Sequence, residues 1–565
     1  MAKSALMLSL QRAYRIATSI KTGIPADELG DFWHRKTSRR RILYGGLGLA
    51  SAIATATWHG GRDDVAFAAI PKVLVVGAGI AGLTAAYRLR QAGVPVDIIE
   101  ARNSVGGRMR TIRNAFGTSI PVDLGGEFID SGHTSLLNLA KELGLQIADL
   151  QAADQGLLRE TYYFQGRKVS EEEMIQYFIP LAQKIEADVA ALGDEQINFR
   201  SQNQTVINLD KTSIAQYLEQ AQINPILKDL LEVAYTIEYG REAEEQSCFN
   251  LLFLLGTGTD KLELFGESDE RFQIIGGNDQ VPRRLAQQLA NSIETGTVLE
   301  AISTQPDGRY RVNLRAGSRT VERTYERILL TLPFSTLRSV TLNVQLPKVK
   351  QKAIAELGYG TNSKLITAYQ QKIWRTQYGS TAEVFTDLGF QNSWEASRYL
   401  NNTKGTFTQG IFTNFTGGQK GLSIGNGSPE SQAQILLPQV EQVFPGISRL
   451  RQGNAIRAYW SGEQFSRGSY SCYLVGQWTK IAGAERITVG NLFFAGEHCS
   501  LEFQGYMEGG CRTGEAAAIK IMRDLGLKSS AAQNLSRISA QKVARRRRLL
   551  QRQRYSDFKI EETEL

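Results

Sequence analysis

Three glycines at GxGxxG spacing, Gly77-Ala78-Gly79-Ile80-Ala81-Gly82, are followed eighteen residues later by an acidic side chain, Glu100. That set suits a pyrophosphate and a ribose. Gly77 permits a tight turn, Gly79 lets the backbone approach a phosphate, and Gly82 lets a helix pack closely on a strand. The phosphates would sit at the helix amino end, where unpaired N–H groups and the helix dipole favour negative charge. Glu100 can accept hydrogen bonds from both hydroxyls of an adenosine ribose. Glycines also punctuate ordinary turns, so the spacing alone says little. Here it follows the apolar run Lys72-Val73-Leu74-Val75-Val76 and opens a helical pattern, which makes an adenine dinucleotide the expectation.

Further motifs follow in order: Glu100-Ala101-Arg102, Gly106-Gly107-Arg108 and Asp123-Leu124-Gly125-Gly126-Glu127. Far downstream come Phe494-Ala495-Gly496-Glu497-His498, Gly505-Tyr506-Met507-Glu508-Gly509-Gly510 and Gly514-Glu515-Ala516-Ala517. In these motifs the chain resembles the flavin amine oxidase family of monoamine, polyamine and L-amino-acid oxidases, over roughly residues 70–525. The resemblance implies FAD rather than NAD. It lays Gly106, Gly107 and Arg108 against the pyrophosphate and flavin, Gly125 and Gly126 near the isoalloxazine, and Val298 at the adenine. It also implies that Glu497 bonds a ribityl hydroxyl and that a helix beginning near Met507 aims its amino end at flavin N1 and O2. Ile80, Ala81, Ala101, Arg102, Glu127, Trp460, Gly496, Gly505 and Tyr506 complete the expected cofactor contacts.

Oxidising an amine by hydride transfer asks little of side chains: a neutral amine, a carbon held close to flavin N5, and exclusion of competing reactions. For these tasks the resemblance implies Tyr470 and Tyr506 as aromatic walls flanking the amine, and Lys364 as the group that holds a water against N5 and assists reoxidation by oxygen. Ser469 stands where monoamine oxidases carry the cysteine bonded to flavin, so non-covalent FAD is expected, with Cys472 close in sequence. Some L-amino-acid oxidases hold the substrate carboxylate with an arginine shortly after the second Gly-Gly, but this chain reads Glu127-Phe128 there. That favours a plain amine, or an amino acid whose carboxylate is held elsewhere. With Phe128 as a further substrate contact, Glu127 could attract the distant cation of a polyamine or a basic amino acid. The expected reaction gives an imine, hydrolysed to a carbonyl and ammonia, with O2 reduced to H2O2. Alternatives are an L-amino-acid oxidase or dehydrogenase that passes electrons to a membrane quinone, an FAD desaturase sharing the opening motifs, and a flavin-binding carrier without turnover.

These residues need elements to hold them. The run from Lys72 to Val76, a helix from Leu83 to Gln91 and the strand Val96 to Glu100 make one βαβ unit. Amphipathic patterns over Leu136–Leu143, Glu171–Leu192 and Ser213–Tyr235 predict a mostly helical block at 134–264. Strands return at Thr297-Val298-Leu299, Tyr310–Leu314, Arg327–Leu332 and around Lys364. Nucleotide motifs at both ends imply an α/β (α+β overall) fold: a discontinuous Rossmann-type FAD domain (69–133, 265–325, 485–525) with an inserted mixed sheet and helical substrate domain (134–264, 326–484).

The chain of 565 residues carries +8, but that charge is unevenly placed. Residues 1–71 contribute +5 and residues 526–565 contribute +6, leaving −3 for everything between. A mildly acidic core excludes nucleic acid as a partner on charge grounds, and leaves peripheral contact with anionic membrane to the two ends. Ser38-Arg39-Arg40-Arg41-Ile42-Leu43 before an apolar run resembles a bacterial twin-arginine signal in a leader of residues 1–68. It implies export to a periplasm or thylakoid lumen, or membrane association, with a cytoplasmic location if the leader is silent. The four cysteines lack CxxC spacing and the histidines number four, so no metal is expected. A homodimer is compatible with all of this.

Overall fold

The computed structural model describes residues 70–118, 120–193, 196–398 and 408–527. The arginine-rich leader and the basic tail lie outside them. β1 (Val73–Val76) is buried at all four positions, as a continuous apolar run at the centre of a parallel sheet should be. It pairs in parallel with β2 (Val96–Ile99) on one side and with Arg327–Leu330 on the other. Leu492–Phe494 and Ile293–Glu294 extend the two edges, so all five strands are parallel. The sequence reading closes the middle piece of the nucleotide unit at residue 325. The structure moves that limit past Leu330, because Ile328, Leu329 and Leu330 pair directly with β1.

On this sheet lie α1 (Ile80–Gln91) and α2 (Met507–Asp524), packed against each other across the whole length of the sequence. Gly514 permits the approach: a Cβ there would lie 2.4 Å from the Ala81 carbonyl oxygen. Beside them, Thr297–Thr304 pairs with Tyr310–Ala316 and Thr341–Asn343 in a four-stranded sheet that carries Val298.

The other half is built on a seven-stranded mixed sheet in the order Arg451–Tyr459, β3 (Ser363–Tyr369), Gly410–Thr416, Asn392–Glu395, Ser380–Thr386, Leu158–Phe164, Arg167–Val169. The last two strands come from the block that the sequence predicts as mostly helical. Leu158–Phe164 has no clean alternation of its own; it makes a hairpin with Arg167–Val169 across Gln165-Gly166 and pairs in parallel with Ser380–Thr386, more than two hundred residues on. A second correction falls at Ser213–Tyr235, which is two helices, Ile214–Gln220 and Pro225–Tyr239. Pro225 disfavours continuing a helix from the previous turn, since it lacks an N–H and its ring meets the carbonyl four residues back. It instead opens the second helix, capped by the Asn224 side chain, which accepts from the Ile226 N–H at 2.9 Å. Glu171–Leu192 is one helix as expected, started by Ser170.

Gly514→Val forces α1 and α2 apart. The expected loss of stability is about 1–3 kcal/mol or more, read as a lower urea midpoint with the slope of the transition unchanged.

Candidate active site

A cleft of about 670 Å3 opens at the carboxyl ends of β1 and β2 and runs to the face of the seven-stranded sheet. Its position is where ligands enter open α/β sheets, and its volume suits a cofactor with a small substrate. Every candidate cofactor and substrate residue read from the sequence lines it, except Gly82. Gly82 acts on packing instead, since a Cβ there would fall 2.0 Å from the Gly77 carbonyl oxygen.

At the β1 end, Gly77 has φ +105°, a conformation that only glycine adopts readily. The α1 amino end starts at Gly79 with no side-chain cap and no acidic residue in its first turn. A Cβ on Gly79 would meet nothing within 4 Å, so the glycine keeps open the space through which a pyrophosphate must pass. The Glu100 carboxylate is oriented by the N–H groups of Ala78 (2.8 Å) and Arg102 (2.9 Å), one on each oxygen. A carboxylate has about four acceptor positions, so two remain for ribose hydroxyls. These features fit FAD: an anion cradle, a ribose acceptor and, with Val298, an apolar wall for adenine.

Glu497 departs from its implied role. Its Oε1 accepts from Arg108 Nη1 (2.9 Å) and the Ser471 N–H (3.3 Å), and its Oε2 from the Ser471 hydroxyl (2.7 Å) and the Gly505 N–H (2.8 Å). All four acceptor positions are filled by the protein, which leaves none for a ribityl hydroxyl. Burial alone would raise this carboxyl, but Arg108 beside it holds it below the ordinary glutamate value. Arg108 also donates to the Ser469 carbonyl at 2.8 Å.

At the far end, Lys364 is buried on β3 and donates to the carbonyls of Asp123 (3.0 Å) and Gly125 (2.8 Å) and to Glu127 Oε2 (2.7 Å). An ammonium has three protons, so none is free for a water beside flavin, contrary to the sequence expectation. Glu127 gives Oε2 to Lys364, while its Oε1 is buried in the cleft wall with no hydrogen-bond partner among the described residues. Asn278 pins the Gly125-Gly126 turn from behind, donating to the carbonyls of Gly126 (3.0 Å) and Glu127 (2.6 Å). Trp460 donates to the Leu124 carbonyl at 3.2 Å, and its ring lies over Gly125.

Tyr470 and Tyr506 line the same end. The Tyr470 hydroxyl donates to the Ile237 carbonyl (3.2 Å) and the Tyr506 hydroxyl to Glu238 Oε1 (2.9 Å). Two adjacent residues near the end of the helix Pro225–Tyr239 therefore fix both rings. The sequence reading missed Ile237 and Glu238, because a helix end carries no motif. It also missed Asn392, Trp394 and Phe415 on the sheet, and the carboxylates Glu270 and Glu383. Phe128 meets the edge of Trp394, with ring centres 5.5 Å apart. The Ser469 hydroxyl is held by Asn362 at 2.6 Å, and Cys248, Cys472, Cys499 and Cys511 are all buried away from the cleft.

Fold and cleft together define a two-domain α/β protein that holds a dinucleotide at one end and a second, aromatic-walled chamber at the other. The chain belongs to the flavin containing amine oxidoreductases, a family it matches over residues 80–522, and its cofactor is FAD. It is similar to flavin-containing amine oxidase B of Mus musculus, 24% identical over 473 residues that cover 80% of this chain and 86% of that one. L-amino-acid oxidase of Mus musculus is 24% identical over 474 residues, 80% of this chain and 71% of the other. Among solved structures, cyclohexylamine oxidase from Brevibacterium oxydans IH-35A superposes with a TM-score of 0.69 at 22% identity, covering 81% of this chain and 99% of its own. Putrescine oxidase bound to putrescine gives 0.65 at 20% identity, covering 80% and 99%.

The glycines separate folding from binding. Gly79→Val is expected to fold with wild-type circular dichroism yet purify colourless, because its side chain fills only the phosphate path. Gly82→Val is expected to fail to fold, because it collides with backbone.

Proposed function

We propose that this enzyme oxidises an amine carrying a second cationic group, a diamine or polyamine in preference to a basic amino acid. One observation carries the reading: Glu238, Glu270 and Glu383 all line the cleft, with Asp130, while the cations at its reacting end are already paired. Burial, and then the Glu383 charge, push Glu270 above the ordinary carboxyl value; burial, and then the Glu160 charge, do the same to Glu383. A bound cation relieves both. An amino acid would need a cation for its carboxylate, but Lys364 is held by Glu127, and Arg398, 5.6 Å over the Phe128 ring, is bonded to Asp154 at 2.9 Å.

FAD, when bound, accepts the hydride from the carbon that bears the nitrogen. The protein's share is positioning. Tyr470 and Tyr506, fixed through their hydroxyls, offer π faces to the amine. Burial pushes the Tyr470 phenol far above its ordinary value, so the wall stays neutral. Trp394, Phe415 and Phe128 exclude water. Non-covalent FAD is supported by the absence of any cysteine among the cleft-lining residues described.

The test is anaerobic bleaching of the flavin absorbance by monoamines, diamines, polyamines and L-amino acids. Bleaching by diamines or polyamines is expected, and bleaching only by neutral monoamines or neutral amino acids would overturn the reading. If no amine bleaches it, the desaturase and carrier alternatives return. Acid precipitation should release all the yellow colour into the supernatant.

Two further outcomes are expected. Tyr470→Ala keeps the flavin but lowers kcat/KM by about a hundredfold. Cation binding favours ionised Glu270 and Glu383, whose values are raised, so binding strengthens as pH rises through them. The kcat/KM ratio of a diamine to a monoamine of equal length should climb from about pH 6 to about pH 8, and Glu383→Gln should lower that ratio about tenfold.

A further inference from the structure

Lys364 and Glu127 form a buried ion pair at the reacting end, Nζ to Oε2 2.7 Å, with both side chains almost wholly enclosed. Two lines of contact place it there. The Gly125 carbonyl that accepts from Lys364 precedes Gly126, where a Cβ would lie 2.7 Å from the Met507 sulfur, and Met507 follows Tyr506. The Ile237 carbonyl that accepts from Tyr470 also accepts from Asn362, two residues before Lys364. The tyrosine walls and the ion pair therefore share one end of the cleft.

An electron passed to dioxygen leaves a small, concentrated negative charge, which a fixed cation in a dry site stabilises strongly. A quinone spreads incoming charge over a conjugated ring and takes protons with it, so it depends less on such a cation. Lys364 is badly placed to serve dioxygen. Its charge is cancelled at contact distance by a buried carboxylate, and its protons all point at oxygen atoms of the protein.

We infer that Glu127 sets the electron acceptor: by neutralising Lys364 it disfavours dioxygen and leaves the reduced enzyme to an acceptor of the quinone class. The inference rests on the amine-oxidation reading, in which one amine and one quinone give one imine and one hydroquinone. The amine loses a hydride from carbon and a proton from nitrogen, the quinone gains both, and water then releases ammonia from the imine. Glu127 is a positioning residue in this scheme, acting through the charge of Lys364.

The experiment reduces the yellow holoenzyme anaerobically with one equivalent of dithionite, so that no amine is needed. The reduced protein is mixed with dioxygen or with a short-chain ubiquinone analogue at equal concentration, and return of the flavin absorbance is timed. The ratio of the dioxygen rate to the quinone rate is expected to be about one tenth or less in the wild type. Glu127→Gln keeps an oxygen acceptor for Lys364 but removes the charge, and should raise that ratio about tenfold or more. Adding Lys364→Met to Glu127→Gln should bring the ratio back down. A wild-type enzyme reoxidised as fast by dioxygen as by quinone overturns the inference, as does a Glu127→Gln ratio that does not move. If Glu127→Gln fails to hold FAD, the double variant Glu127→Gln/Lys364→Met, which removes both charges, decides: a fall in the ratio to about a tenth of wild type shows a free cation at work and overturns the inference, while a ratio that stays put supports it. Failure of every amine to bleach the flavin would sink the substrate reading and leave these rates standing.

Discussion

The site depends on one buried carboxylate. Glu497 receives four hydrogen bonds, from Arg108, from the backbone and hydroxyl of Ser471, and from the Gly505 N–H. Those donors belong to the Gly-Gly-Arg loop near the start of the fold, to the segment that presents Tyr470, and to the loop that presents Tyr506. Removing an ion from water is expensive, and a buried ion pair is tolerated only when its remaining hydrogen-bonding capacity is met. For Glu497 it is met in full, which ties the three segments together with the tyrosines facing the same cleft as the nucleotide cradle.

Around that anchor the two halves of the cleft divide their labour by chemistry. The β1 end is made of backbone: glycines that leave room, and the uncapped amino end of α1. The far end is made of side chains from the seven-stranded sheet and the end of one helix, where Ile237 and Glu238 hold both tyrosine hydroxyls. Opposite charges are paired at the reacting end, Arg108 with Glu497 and Lys364 with Glu127, while burial keeps Glu270 and Glu383 above the ordinary carboxyl value although the Arg398 charge acts against it at both and Arg159 at Glu383. The cleft thus gathers carboxylates at one end and backbone N–H donors at the other.

Much of this was legible in the sequence, for a local reason. The GxGxxG turn and the burial of β1 follow from short stretches whose backbone geometry depends on residues within a few positions of each other. The helix Glu171–Leu192 was readable too, since its cap and its apolar face lie within one continuous segment. The misreadings share the opposite character. Leu158–Phe164 folds back on Arg167–Val169 locally, but its place in the seven-stranded sheet comes from a partner far away in the chain. Arg327–Leu330 reads as a strand anywhere, and only its pairing with β1 assigns it to the nucleotide sheet. The break at Pro225 was visible as a residue, but the amphipathic pattern on both sides masked it.

The sequence by itself determined the Gly77–Gly82 cradle, because glycine spacing and strand–turn–helix order constrain backbone locally; the residues around the rest of the cleft were expected from the resemblance to the flavin amine oxidases. Only the tertiary structure decided what those residues are free to do. Whether Lys364 has a proton to give depends on partners more than two hundred positions away, and whether Glu497 has a lone pair left depends on Arg108, 389 positions away, together with Ser471 and Gly505 nearby. Such partners saturate a donor or acceptor only once the fold has brought them within about 3 Å.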